Sequence, residues 1–187
     1  PFRLECRGIK FDREGYVIAR PLQKFFNYGE KNTRGDFKKP HKLMDKLDGS
    51  MVHPAVLDGV FYMMTRKGIT EVAELALTHV SDKLEDWCRG QIELGNTPIF
   101  EFTSPDNRIV IKYDEPRLTL IAIRYMFDGT YLTMDGCEVP APLVQEINPL
   151  VSNPFIEFRK PCSCLSSVGT SLDLSAYSPV QNFQSAF

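Results

Sequence analysis

The sequence predicts an α+β domain built on antiparallel sheet, and three observations lead to this prediction. Short segments typical of strands recur along the chain, and several are joined by turns that contain glycine. One helical region interrupts them in the middle of the chain. Strands, a helical region and further strands, connected largely by hairpins, are typical of the α+β class.

The first predicted hairpin lies near the start of the chain. Strands at 9–11 and 16–19 flank a turn in which Gly15 supplies conformational freedom. We expect an extended segment at 24–27, and then a polar loop at 28–42 that is rich in Lys, Arg, Gly and Asn.

The second predicted hairpin is the clearer of the two. It joins strands at 50–57 and 60–65 through Asp58 and Gly59. An Asp-Gly pair between apolar runs favours a type I′ turn, because that turn needs a positive φ angle at both central residues.

The helical region follows this hairpin. Thr70 and Ser81 are each predicted to cap the start of a helix, and Gly90 is predicted to end the second one. The residues that recur at helical spacing are Val72, Leu75, Ala76 and His79 in the first helix and Leu84, Trp87 and Cys88 in the second.

Further strands are predicted in the second half of the chain, at 99–103, 108–113 and 118–124. The last of these is apolar on both faces, which indicates a central position in the sheet. A turn at Asp128 and Gly129 then leads into a short strand at 131–134.

Composition limits the possible functions. The 187 residues carry 22 Lys and Arg against 24 Asp and Glu, a net charge of -2, which excludes a polybasic mode of nucleic-acid binding but not a local basic cleft. Only Arg159 and Lys160 of these cations follow Arg124, so a polyphosphate or nucleic-acid site is expected in the first two thirds. No run is apolar enough for a membrane span. The five cysteines and the histidines lack metal-ligand spacing, which predicts no metal site and favours reduced thiols in the cytoplasm.

The domain organisation follows from the same composition. Residues 1–160 are predicted to form one domain. Residues 161–187 contain seven serines and a single charge, at Asp173, and show no sustained period. We therefore predict a disordered tail there.

A candidate nucleophile precedes the second hairpin. Lys46 is followed by Asp48 and Gly49. A lysine amine can attack phosphorus once neighbouring cations or desolvation lower its pKa, and a glycine would let a nucleotide approach the backbone closely. The same residue types also occur in ordinary solvated turns, and that alternative remains open.

Other charged residues could complete a nucleotide pocket. Arg7, Lys24 and Lys67 are candidate phosphate ligands, because several cations would neutralise a triphosphate and lower the pKa of Lys46. Glu101, between two phenylalanines, could hydrogen-bond a ribose hydroxyl or an adenine edge. Each residue also has a purely structural alternative. Arg7 could form a surface ion pair, and Lys24 could simply flank a buried pair of aromatic residues. Lys67 could be an ordinary loop cation, and Glu101 could be a partly buried carboxylate paired with Arg108.

Six short motifs occur in order between residues 4 and 124: E-C-R-G-I at 5–9, R-P-x-x-K-F-F-N at 20–27, K-L-D-G-S at 46–50, R-K-G at 66–68, F-E-F at 100–102 and P-D-N-R-I-V at 105–110. With them the sequence resembles the bacteriophage-type ATP-dependent RNA ligases, within the covalent nucleotidyltransferase superfamily. The second motif points to the tRNA-repair branch. Met51 departs from the Arg usual at that position in DNA ligases and capping enzymes, and from the Asn of RNA-editing ligases.

The resemblance implies an antiparallel-sheet nucleotidyltransferase, or adenylylation, domain in which Lys46 is adenylylated. Among the remaining site residues, Arg7 and Lys24 would contact ATP phosphates or ribose, Lys67 would assist at the phosphates, Asp48 and Gly49 would belong to the nucleotide-binding motif, and Glu101 would hold the nucleoside.

The implied reaction has three steps. Lys46 attacks the α-phosphate of ATP, with Mg²⁺ offsetting charge on the pyrophosphate. AMP then passes to an RNA 5′-phosphate, and a 3′-hydroxyl seals the strand. The implied partners are RNA ends, such as those of a cleaved tRNA, in the cytoplasm (of the host cell, if the protein is phage-encoded) and away from membranes.

Two motifs expected after Glu101, a Glu-Gly strand and a Lys-x-Lys strand on the α-phosphate, do not occur there. Glu14 and Gly15 form a literal Glu-Gly, but they precede Lys46 and are interpreted as coincidence. Because cations on the α-phosphate stabilise charge in the transition state, we expect a domain that is incomplete at both ends and weak or inactive in sealing. The alternative is a non-catalytic nucleotide- or RNA-binding module that retains the pocket.

Overall fold

The computed structural model describes residues 2–27, 29–30, 41–134, 137, 139 and 144–147. Within them the helices are α1 (Phe2–Glu5), α2 (Glu71–Leu77) and α3 (Asp82–Glu93). The strands are β1 (Lys10–Phe11), β2 (Val17–Ala19), β3 (His41–Met44), β4 (Ser50–Leu57), β5 (Val60–Met64), β6 (Asn96–Thr103), β7 (Arg117–Tyr125), β8 (Tyr131–Leu132) and β9 (Val144–Ile147). These elements confirm the predicted α+β class with antiparallel sheet.

The main sheet has the strand order β5-β4-β6-β7-β8, and every neighbouring pair is antiparallel. The β4–β5 hairpin turns at Asp58 and Gly59, whose φ angles of 51° and 79° confirm the predicted positive-φ turn. β7 lies between β6 and β8, which confirms its central position. Met51 on β4 faces Glu101 on β6 in this register, so the sheet brings the segment after Lys46 next to Glu101.

Helices α2 and α3 cover one face of this sheet, and their predicted caps are confirmed. Thr70 Oγ1 accepts from Ala73 N–H and Ser81 Oγ accepts from Leu84 N–H, so each hydroxyl satisfies an otherwise free helix donor. The predicted end at Gly90 is wrong, because α3 continues to Glu93 and the chain adopts a positive φ angle only at Gly95. The side chains buried between helices and sheet include Val52, Met63, Ala76, Cys88, Phe100 and Phe102.

The N-terminal part of the chain covers the opposite face. β1 and β2 form the first predicted hairpin, with Gly15 at a φ angle of 90°. Ala19 packs with Ala55 and Met64 of the main sheet, and Leu22 packs with Ile99 and Ala122. This packing holds the segment that carries Arg7 and Lys24 on the same face of β6 as Glu101, whose strand neighbours Phe100 and Phe102 point to the helices.

Two further sequence predictions differ from the structure. The strand predicted at 108–113 is wrong, because residues 104–116 form an irregular loop whose amide groups bond to Asp48 instead of a neighbouring strand. The polar loop predicted at 28–42 ends earlier than expected, because β3 begins at His41.

β3 pairs antiparallel with β9, with His41 opposite Ile147, and these strands belong to a second compact unit. Most of the predicted loop and the whole predicted tail at 161–187 lie outside the described residues. The single domain over 1–160 therefore stays a prediction. In the part of the chain that is described, no helix is long and apolar enough to cross a membrane.

Candidate active site

The segment that carries Lys46 has no regular secondary structure and leads directly into β4. The Lys46 side chain is exposed. The carboxylates of Asp48 and Glu101 are both close enough to Lys46 to interact with its charge. The amine is therefore exposed and within electrostatic range of two carboxyl groups. The ring of cations expected around it stays a prediction.

Asp48 anchors this segment to the loop between β6 and β7. Its Oδ2 accepts hydrogen bonds from the N–H groups of Ile111 at 2.7 Å and Val110 at 2.6 Å, and its own N–H donates to Tyr113 Oη at 3.0 Å. The amide of Ile111 above all, and then that of Val110 and the charge of Lys46, hold the pKa of Asp48 below its ordinary value against the opposing effect of desolvation. A carboxylate kept ionised in this way fixes the backbone two residues after Lys46.

Gly49 is required by the approach of β6. A Cβ at this position would overlap the carbonyl of Phe102 and come within 2.9 Å of Thr103 Cγ2. Its N–H donates to Glu101 Oε1 at 3.1 Å. From the sequence, Gly49 was expected to let a nucleotide approach the backbone closely. In the structure, the group that approaches Gly49 closely is the backbone of β6.

Asn107 connects the same loop to the start of β4. Its Nδ2 donates to Ser50 Oγ and to Phe102 O, each at 3.1 Å. Its own N–H donates to Ser104 Oγ at 3.0 Å, which fixes the residue in turn. Sequence reasoning assigned Asn107 no role, although it stands within the P-D-N-R-I-V motif.

Glu101 is half-buried on β6, and its pKa is raised to about 7. Burial is the main cause, because it disfavours the charged carboxylate. The N–H of Gly49 and the charge of Lys46 act in the opposite direction, and the charge of Asp48 adds to the increase. A carboxyl group of this kind can accept or donate a hydrogen bond near neutral pH. Arg108 donates through Nε to Val110 O, so the structure offers this contact instead of the Arg108–Glu101 ion pair considered as an alternative.

Arg7 and Lys24 lie on the N-terminal segment. The Arg7 guanidinium stands over the Phe25 ring, 5.4 Å from its centre, an attractive cation–π contact. The Lys24 N–H donates to Leu4 O at 2.8 Å, which ties the two motif segments together, while its side chain is exposed.

Lys67 is exposed in a turn closed by two backbone hydrogen bonds between Thr65 and Gly68. This turn contacts the segment that carries Arg7. Lys10 Nζ donates to Gly8 O and Arg66 O, each at 2.9 Å, and a Cβ on Gly8 would lie 3.1 Å from Arg66 Cγ. Gly8 and Arg66 are therefore in contact, and Arg7 and Lys67 are their neighbours in the sequence.

An apolar cluster relates these cations to the Lys46 segment. Phe25 and Met51 both pack against Leu22, Ile99 and Ala122. Phe25 lies under the Arg7 guanidinium, and Met51 pairs with Glu101 across the sheet. Hydrogen bonds and charge thus join Lys46, Asp48, Gly49 and Glu101 directly, whereas Arg7 and Lys24 are related to them through packing.

The cluster of Glu5, Arg20 and Arg124 was missed as a structural unit by sequence reasoning. Arg124 is 2% exposed, and its guanidinium forms an ion pair with Glu5 at 3.0 Å and donates to Pro21 O at 2.7 Å. Arg20 Nη1 donates to the carbonyls of Met126 and Phe127. These contacts connect the first two motifs to the far end of β7, so Glu5 and Arg20 hold the pocket segment in place.

His53 lies two residues beyond Met51 on the same face of β4 and is fully buried. Its Nδ1 donates to Pro54 O at 3.2 Å, while Nε2 has no hydrogen-bond partner among the described residues. Burial lowers the pKa of this histidine to about 4, and the charge of Lys10 acts in the same direction. His53 is therefore neutral at physiological pH.

Potential metal ligands do not cluster in the described part of the chain, where no group of three Cys, His, Asp or Glu side chains is found. Glu14 and Gly15 stand at the exposed β1–β2 turn. The potential oxygen ligands around Lys46 are two carboxyl groups, and one of them, that of Asp48, already accepts hydrogen bonds from backbone amides. These groups do not fit a magnesium ion held by the protein alone.

Known proteins resemble this chain over most of its length. A family model described as RNA ligase matches residues 5–161. A Thermovibrio ammonificans protein provisionally named an RNA ligase is 39% identical over 140 residues, which cover 71% of this chain and 37% of that protein. RNA ligase 1 of Bacteriophage TS2126 is 30% identical over 156 residues, covering 76% and 39%. The RNA ligase of Rhodothermus phage RM378 is 27% identical over 164 residues, covering 66% and 37%. The chain thus spans less than two fifths of the length of each of these three relatives.

Proposed function

This chain belongs to the RNA ligase family, and from that premise we propose that it carries the ATP-dependent adenylylation site of a phage-type RNA ligase, with Lys46 as the nucleophile. One observation supports this more than any other. Two sets of hydrogen bonds fix the Lys-x-Asp-Gly segment: the Gly49 N–H donates to Glu101, and the Asp48 carboxylate accepts from amides of the loop between β6 and β7. The amine of Lys46 stays accessible.

The proposed first step forms a covalent bond between Lys46 and AMP. The uncharged amine attacks the α-phosphorus of ATP, the nitrogen–phosphorus bond forms as the bond to pyrophosphate breaks, and the nitrogen gives up a proton. Arg7, Lys24 and Lys67 would neutralise the phosphates. Glu101 would hold a ribose hydroxyl or an adenine edge, as a carboxyl group with a pKa of about 7 can do in either protonation state.

The two later steps act on RNA. AMP passes from Lys46 to the 5′-phosphate of an RNA end, and a 3′-hydroxyl then attacks that phosphate and displaces AMP. RNA ends, among them those of a cleaved tRNA, are the proposed substrates. Magnesium would offset charge on the phosphates of the nucleotide, and the steps proposed here use no ion held by the protein.

Covalent labelling tests this function. The chain is incubated with ATP labelled on the α-phosphate and denatured, and the label retained on the protein is measured. We expect retention by the wild type, loss in Lys46→Arg, which keeps the charge but not the nucleophile, and no change in Lys83→Arg, an exposed lysine on α3. Sealing of RNA ends should be weak, because the chain contains no Lys-x-Lys.

A non-catalytic nucleotide- or RNA-binding module that retains the pocket is the second candidate. In that case ATP would raise the unfolding temperature of the wild type and of Lys46→Ala alike, because a ligand that binds only the folded state stabilises it. No label would remain on the denatured protein. A covalent adduct excludes this candidate.

A further inference from the structure

We propose that Tyr113 and Asn107, on the loop between β6 and β7, are positioning residues that hold the segment carrying Lys46 in the position from which its amine reacts. This inference rests on the proposed function, because the position of Lys46 affects a reaction only if its amine is the nucleophile. Neither residue needs to touch the nucleotide in this role.

The first argument is the lack of regular structure around Lys46. Residues 45–49 form no helix or strand, so no ladder of backbone hydrogen bonds fixes them. One polar anchor is the bond from the Gly49 N–H to Glu101 on β6, and further anchors come from the loop between β6 and β7. Tyr113 Oη accepts the N–H of Asp48, and Asn107 Nδ2 donates to Ser50 Oγ, so the two side chains bracket the turn into β4.

The second argument is that these anchors are themselves fixed. Asn107 is bonded to Ser104 Oγ and to Phe102 O, and Phe102 is the cross-strand partner of Ser50. Tyr113 is half-buried and has only two side-chain torsions, so it loses little freedom on making its bond.

The third argument is that the tip of the loop is not held by apolar packing. Ile109 is 58% exposed and Val110 is 71% exposed. The polar contacts to Asp48 and Ser50 therefore hold the loop and the Lys46 segment against each other. A displacement of about 1 Å at a reacting group can cost about 100-fold in rate, so loosening this contact should slow the attack more than it weakens ATP binding.

The rate of adenylylation as a function of ATP concentration tests this inference. Tyr113→Phe removes the acceptor of the Asp48 N–H, Asn107→Ala removes the donor to Ser50, and Ile109→Ala is the control on the same loop. We expect the maximal rate to fall about 10-fold or more in the first two variants, with KM for ATP changed less than about threefold, and no change in the control. An unchanged rate, a change in KM alone, or an equal loss in the control would overturn the proposal.

Hydrogen exchange of the Asp48 amide distinguishes this inference from the proposed function. If the wild type takes up no label from ATP, the proposed function fails, but the amide can still be measured. We expect faster exchange at Asp48 in Tyr113→Phe, with the amides in the interior of β4 and β6 still protected. Unchanged exchange at Asp48, or an equal loss of protection along both strands, would contradict a positioning role.

Discussion

Replacing Glu101 by Gln should remove a pH-dependent loss of stability. Burial raises the pKa of Glu101 from its ordinary value of 4.5 to about 7. Because the folded-state pKa lies above that of the unfolded chain, the folded state binds more protons between these two pH values. The contribution of Glu101 to the free energy of unfolding is therefore fully present below about pH 4.5 and is lost as the pH rises through about 7.

The size of this effect follows from the two pKa values. Their difference corresponds to about 3 kcal/mol, since one pKa unit is about 1.4 kcal/mol. Glu101 is only half-buried, so solvent reduces the effect and we expect about 1–3 kcal/mol. Glutamine keeps an oxygen that can accept the Gly49 N–H but cannot ionise, so it should avoid the loss.

Urea unfolding at pH 5 and pH 8 measures this. The free energy of unfolding of Glu101→Gln minus that of the wild type should rise by about 1–3 kcal/mol between the two pH values. Glu93→Gln, at an exposed glutamate at the end of α3, is the control and should show no such increase. If the difference between Glu101→Gln and the wild type is the same at both pH values, the burial argument for Glu101 is refuted.

Three further substitutions test the contacts that support the site. Gly49→Ala should lower the free energy of unfolding in a urea titration by about 1–3 kcal/mol, because the new Cβ overlaps the Phe102 carbonyl; an unchanged midpoint would contradict that overlap. Glu5→Gln should cost about 2–4 kcal/mol in the same assay, because it leaves the Arg124 guanidinium buried without its counter-charge, and a cost near zero would argue against the ion pair. The pKa of His53 is about 4 when folded, so its contribution to the free energy of unfolding should fall by up to about 3 kcal/mol as the pH falls from about 6.5 to 4. The free energy of unfolding of His53→Asn minus that of the wild type should rise by this amount over the same range, and a difference that does not change with pH would contradict it.

Local signals in the sequence were sufficient wherever structure depends on near neighbours. Asp58 and Gly59 gave the hairpin turn correctly because their preference for positive φ is a property of the residues themselves. Thr70 and Ser81 were identified as caps because the bond to a helix N–H spans only three residues. The order of the motifs was likewise enough to indicate the family.

The failures involve partners that are distant in the sequence. Residues 108–113 have a strand-like composition, but the amides of Val110 and Ile111 bond to Asp48, about 60 positions earlier. The pairing of β3 with β9 joins segments about 100 positions apart, and no local pattern reveals it. The requirement for Gly49 arises from β6, which sequence alone did not place against that residue.

Locating the AMP adduct by tandem mass spectrometry tests the central claim most directly. The chain is incubated with ATP and magnesium and digested under conditions that preserve a phosphoramidate, and the modified peptide is sequenced. The proposed function predicts AMP on the side chain of Lys46. AMP on another lysine, or an unmodified Lys46 in protein that ATP demonstrably stabilises against heat, would contradict it.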